Sequence, residues 1–162
     1  MECSPSCHCH PNLERIRECN IVKRLPLCNP QIQNGVMIVN PTSGMVLDAS
    51  CHEVKLQCYT GNTSQLWHLE CTRNGNFFII NIGNGKVLSI EGGVTSSANL
   101  ITSEKHGGVN QQWSINHCDN TIVNSCSNLV IDIKEECFCP GTNLIAFPKH
   151  GRDNQKFCLQ YA

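Results

Sequence analysis

The chain has 162 residues, 40% of them hydrophobic, with 12 Lys plus Arg against 13 Asp plus Glu and a formal charge of −1. This length suffices for one domain with a sizeable core, since such a chain buries roughly 68–70% of its unfolded surface. Balanced charge without a basic run argues against nucleic acid, whose phosphates need clustered Lys and Arg, and against a polybasic membrane contact.

No apolar stretch approaches the roughly 18 residues that span a bilayer, so membrane insertion is not expected and the chain reads as soluble. Thirteen cysteines, by contrast, approach the density of a disulfide scaffold in a short secreted chain. No signal-peptide apolar segment opens the sequence. An extracellular, mature chain with its leader removed is the first expectation, and a cytoplasmic protein rich in free or metal-bound Cys is the alternative. The Asn62-Thr63-Ser64 glycosylation pattern is compatible with the first. The odd cysteine count leaves a thiol over, which allows a disulfide-linked oligomer beside a non-covalent one.

Residues 1–33 read as an arm. They hold Cys3, Cys7, Cys9, Cys19 and Cys28, with His8 and His10 between the early ones and Pro at 5, 11, 26 and 30. Asn12 could cap a short helix whose inner face is Leu13, Ile16 and Cys19, and Pro26 ends any regular structure.

Three segments then align. The first runs from Val-Met-Ile-Val-Asn40 to Leu47-Asp48, the second from Phe-Phe-Ile-Ile-Asn81 to Leu88-Ser89, the third from Thr-Ile-Val-Asn124 to Ile131-Asp132. Each has a turn-former at the matching place: Gly44, Gly85 and Asn128. Apolar run, turn and apolar run predict paired strands. A further strand follows in each copy (Val54-Lys-Leu56, Leu100-Ile101, Leu144-Ile-Ala146), and each closes alike: Gln65-Leu-Trp67, Gln111-Gln-Trp113, Gln155-Lys-Phe157. Three copies of four strands predict an all-β, pseudo-threefold domain over residues 34–162, with repeats at about 35–75, 76–119 and 120–162.

This resembles the β-trefoil of the ricin B-type lectin family, over about four fifths of the chain. One Gln-x-Trp would mean little, but three Gln-x-(Trp/Phe) motifs at near-equal spacing, each behind an Asn-turn-aliphatic block, carry the resemblance. It implies that Trp67, Trp113 and Phe157 are core residues. It further implies a shallow sugar site whose carboxylate follows the aliphatic residue of the second strand, whose aromatic plate sits on the third, and whose amide precedes the closing Gln. Such a set suits a sugar, which offers hydroxyls on its rim and C–H groups on one face.

In the third copy all three positions are filled, by Asp132, Phe147 and Asn154, with His150 on the same loop and Gln155 next to the amide. The plate is Phe where the family more usually has Trp or Tyr, so weakened binding is expected. The first copy keeps Asp48 but has Gln57 and Ser64 at the other positions, and its loop is cut to 6 residues from Asp48 to Val54 against 12 from Asp132 to Leu144. It is the weaker candidate, with Tyr59 two positions from the plate. The second copy keeps Asn110 but has Ser89 and Ser103 for acid and plate, so it ranks last. Galactose or N-acetylgalactosamine, presented on glycans or glycoproteins, is the ligand the resemblance favours.

Each of these residues also has a plainer use. An Asp after a strand commonly bonds its own turn, a strand Phe commonly faces a core, and Asn154 could serve its loop. Their coincidence in one copy favours the sugar site. No Gly-x-Ser-x-Gly elbow, phosphate loop or His-Glu-x-x-His occurs, so no enzyme and no cofactor is expected. In the arm, Cys3, Cys7 and Cys9 flanked by His8 and His10 match no common zinc module, so disulfides are preferred to a metal. Cys51 with Cys58, and Cys126 with Cys137 or Cys139, are candidate local pairs. The expectation is a non-enzymatic carbohydrate-binding protein; the rival is a disulfide-rich structural or protein-binding trefoil of a coat, wall or assembly.

Overall fold

A computed structural model describes residues 35–162; the arm, the helix expected in it and the expected preference for disulfides over zinc lie outside the described residues. Twelve strands fall into three sets of four: β1 (Val36–Val39), β2 (Val46–Asp48), β3 (Lys55–Gln57) and β4 (Trp67–Cys71); β5 (Phe77–Asn81), β6 (Val87–Ile90), β7 (Leu100–Ser103) and β8 (Trp113–Asn116); β9 (Thr121–Asn124), β10 (Val130–Ile133), β11 (Leu144–Phe147) and β12 (Cys158–Tyr161). Short 3-10 turns precede the last strand of each set, at Thr63–Gln65, Val109–Gln111 and Asp153–Gln155. Among the described residues no helix is long and apolar enough to cross a membrane.

The repeating turn has a simple cause. Gly44, Gly85 and Asn128 all adopt the left-handed conformation (φ 72°, 71° and 62°), which Gly reaches without cost and Asn tolerates best among side-chain-bearing residues. Their amides bond back to the carbonyls of Asn40, Asn81 and Asn124 at 2.8, 2.8 and 3.0 Å, so the chain reverses at the same point in every copy. Between turns the period-2 alternation of a half-buried strand holds: Phe77, Ile79 and Asn81 are buried while Phe78 and Ile80 are partly exposed.

Strands β1, β4, β5, β8, β9 and β12 form an antiparallel barrel. The Phe157 amide, 2.8 Å from the Asn120 carbonyl, ties the last set to its own start. Hairpins β2–β3, β6–β7 and β10–β11 cap one end. Isolated bridges Glu53↔Ile101, Lys55↔Asn143 and Asn99↔Ile145 lace the hairpins together around the pseudo-threefold axis. There Glu53, Asn99 and Asn143, which precede the third strand of each set, form a ring: both Asn amides donate to the Glu53 carboxylate and Asn143 donates to Asn99, each at 3.3 Å.

Each repeat also holds the one before it. The Asn81 amide donates to the carbonyls of Ser64 and Leu66, Asn124 to those of Val109 and Gln112, and Asn40 to those of Asp153 and Lys156. The third contact closes the circle by joining residues 113 and 116 positions apart. All three Asn side chains are fully buried, where an unmade bond is expensive.

Trp67, Trp113 and Phe157 lie in one core cluster, as expected, each contributing on the order of 1.5–3 kcal/mol by burial. The two indoles donate to the carbonyls of Leu47 (3.3 Å) and Leu88 (3.0 Å), a bond the Phe157 ring cannot make. The expected local cysteine pairs are not formed: Cys51 and Cys126 are free, as is Cys118, and all three are exposed. Cys51 and Cys126 sit at solvent-facing turns, whereas Cys58 packs against the core and Cys137 is buried, so closeness in sequence does not bring the sulfurs together.

Candidate functional site

In every copy the closing Gln is the centre of a polar knot. Its amide donates to the residue that ends or lies within the second strand: Gln65 to Asp48 at 2.9 Å, Gln111 to Ser89 at 3.2 Å, Gln155 to Asp132 at 2.8 Å. Its carbonyl accepts backbone amides from the loop ahead of it, those of Thr60, of His106 and Gly107, and of His150 and Gly151. All three Gln side chains are fully buried. Gln155 therefore stands behind Asp132 and is not among the residues lining the hollow described next.

What differs is the residue each Gln holds. Asp132 is the third of the four residues of β10 and is 3% exposed. Oδ2 accepts from Gln155, and Oδ1 accepts from the Asn154 amide at 3.2 Å; Asn154 also donates to the Ile133 carbonyl at 3.1 Å. Burial raises the Asp132 carboxyl above its ordinary value of 3.8. The Gln155 and Asn154 donors and nearby His150 pull it back without cancelling the rise, and Glu136 adds to it.

Asp132, Asn154, Phe147 and His150 line one open hollow of about 430 Å³, within the range of small-ligand sites. The Phe147 ring lies half-buried at the end of β11, with Ile145 two residues earlier on the same face. His150 meets it edge-on, with ring centres 6.1 Å apart at 63°. The His150 Nδ1 accepts the Arg152 amide at 3.1 Å, which places the proton of a neutral ring on Nε2, 3.5 Å from Asp132 Oδ2. In the second copy His106 Nδ1 accepts the Gly108 amide at 2.9 Å, and in the first Thr60 Oγ1 accepts the Asn62 amide at 3.4 Å. His150 is thus a turn device that also presents Nε2–H to the hollow.

The first copy's Asp48 is 6% exposed, and its carboxylate is taken by Gln65 and by the Ser50 amide at 2.7 Å. Tyr59 is exposed at 39%. In the second copy the Ser89 and Ser103 hydroxyls face each other at 2.6 Å and both accept from Gln111, while Asn110 donates to the Ile90 carbonyl. Among the described residues, no group of three or more His, Cys, Asp or Glu side chains converges to hold a metal.

A family model, described as the ricin-type beta-trefoil lectin domain-like family, matches residues 63–147, just over half of the sequence. The chain belongs to this family. No curated protein matches it. Among solved structures it is similar to the designed threefold-symmetric protein ThreeFoil (27% identity, TM-score 0.73, covering 77% of this chain and 96% of that one). It is similar in fold to the Rhizoctonia solani agglutinin (23%, TM-score 0.68, 79% and 95%). The same holds for the Macrolepiota procera ricin B-like lectin, solved in complex with lactose (19%, TM-score 0.68, 78% and 95%).

In this ricin-type trefoil the hollow has a rim that sequence comparison did not find. Ser97 comes from the second repeat, brought in by its amide's 2.7 Å bond to the Ala146 carbonyl. Lys134, Glu135 and Glu136 form a turn after β10 in which both Glu residues are left-handed (φ 57° and 54°), an uncommon backbone for residues with a side chain. Across the mouth, Arg152 pairs with Glu136 at 3.4 Å. Arg152 alone had a visible signal, since it lies between His150 and Asn154.

Proposed function

We propose that this ricin-type trefoil is a non-enzymatic carbohydrate-binding protein whose main site is Asp132, Phe147, His150 and Asn154, with Gln155 bracing the acid and Asp48 marking a weaker second site. The observation that carries the proposal is that one hollow is lined by a carboxylate, an aromatic ring and an amide. A sugar's paired hydroxyls would bond Asp132, whose ionised oxygens accept strongly, while its C–H face would rest on Phe147. Galactose or N-acetylgalactosamine is the favoured ligand class, and the lactose bound to the Macrolepiota lectin, a galactose disaccharide, supports it. Glycans or glycoproteins outside the cell are the proposed partners. Secretion, disulfides and an oligomer belong to this proposal too, the exposed thiols of Cys51, Cys118 and Cys126 being available for a link between chains.

The rival, a structural or protein-binding trefoil, draws on the second copy, where Ser89 and Ser103 bond each other. A glycan array with wild type beside Asp132→Ala separates the two. The lectin proposal expects galactose-type glycans to bind wild type and to lose on the order of 10–100-fold in the variant, the weight of one charge-assisted hydrogen bond. Binding to no glycan favours the rival, and binding that survives the substitution removes the site.

A further inference from the structure

We propose that the site is built for an oligosaccharide, with a second sugar subsite beside the pseudo-threefold axis; this rests on the lectin proposal above. The Asp132 hollow does not end at the Lys134–Glu136 turn. On the other side lies a second hollow of about 260 Å³, and both hollows are lined by Lys134 and Glu135. One turn is therefore the shared wall of two adjoining depressions.

The second hollow belongs to two repeats at once. Glu53 and Lys55 come from the first, and Thr142 and Asn143 from the third, brought together by the Lys55↔Asn143 bridge. None of these four side chains is fully exposed, and two are held in place, since Asn143 donates to Glu53 at 3.3 Å. They offer a carboxylate, an ammonium, a hydroxyl and an amide, which is the mixture of acceptors and donors that a ring of hydroxyls satisfies. No aromatic side chain lines it, so no plate meets the C–H face of a sugar there.

Size agrees with that division of labour. The Asp132 hollow falls inside the roughly 300–1,000 Å³ of free-standing small-ligand sites and the second falls just below it, fitting an extension and not an independent site. A sugar anchored at Asp132 and Phe147 would pass its next unit over the Lys134–Glu135 wall to Thr142 and Lys55. The inferred ligand is thus a galactose-containing chain of two or more units.

Calorimetric titration with galactose, lactose and galactose-containing tri- and tetrasaccharides tests this, run on wild type, Lys55→Ala and Thr142→Val. Both substitutions leave the Glu53–Asn143 contact intact. We expect the longer sugars to bind wild type at least about tenfold more tightly than galactose, and each variant to lose most of that gain while its galactose affinity stays put. Amide NMR shifts at Thr142 and Asn143 should move with the longer sugars and not with galactose. Equal affinity for one unit and four, unchanged by either substitution, overturns the second subsite and leaves the Asp132 site standing. Failure of every sugar, whatever its length, overturns both.

Discussion

The second and third repeats build the same knot around a closing Gln and end with different chemistry. Gln111 holds two hydroxyls that already satisfy each other at 2.6 Å, so the knot is closed upon itself. Gln155 holds a buried carboxylate, which keeps capacity for further donors, and a phenyl ring stands where the second repeat has Ser103. The Gln is therefore scaffold in both, and the two residues in front of it decide whether the place can recognise anything. Family membership alone would not separate them, since a fold does not fix a function.

The sharpest way to break that comparison is to remove the Gln from each repeat. Gln155→Ala strips a buried carboxylate of its 2.8 Å donor, a charged bond of about 1.5–3 kcal/mol, whereas Gln111→Ala leaves neutral hydroxyls that retain one another and forfeits about 0.5–1.5 kcal/mol there. The loop amides lost with the Gln carbonyl are shared by the two variants. Gln155→Ala should therefore be the less stable by about 1–2 kcal/mol in denaturant unfolding at neutral pH. Equal losses would mean that Asp132 is not an ionised, buried group.

A smaller effect follows from acidity. Because burial raises the Asp132 carboxyl, the folded chain binds more protons there than the unfolded chain between the ordinary value of 3.8 and the folded one. Its contribution to stability is fully present below 3.8 and is lost as pH rises through the folded value, so it grows on acidification. Sugar binding, which needs the ionised form, should weaken over the same range and start to fail above 3.8. The difference in melting temperature between wild type and Asp132→Asn, followed from neutral pH downward, should shift in favour of wild type, while lactose affinity of wild type falls. A difference that stays flat with pH would contradict the raised carboxyl.

Much of this was legible because the repeat unit is local. Asn40, Asn81 and Asn124, their turn residues and the closing motifs recur at fixed offsets, and offsets within one repeat brought Asp132, Phe147 and Asn154 into register. What the offsets could not carry is contact between repeats. Ser97 reaches the hollow across a repeat boundary, the Asn40 clamp joins positions more than a hundred residues apart, and the Glu53–Asn99–Asn143 ring depends on the threefold axis itself. The Cys51 and Cys126 pairings failed for a related reason: spacing along a chain says nothing about which face a sulfur is turned to. The place of His150 on the loop makes it a candidate ligand, but the bond its Nδ1 accepts from the Arg152 amide appears only in three dimensions.

The central claim is that recognition resides in the third repeat, in the hollow shared by Asp132 and Phe147. Amide-resolved NMR of the full chain titrated with lactose tests it most directly. Shifts should concentrate on Asp132 to Glu136 and on Ile145 to Asn154, with Asp48 following only at higher lactose and Ser89 left unmoved. Shifts centred on the first or second repeat, or none at saturating lactose, would contradict it.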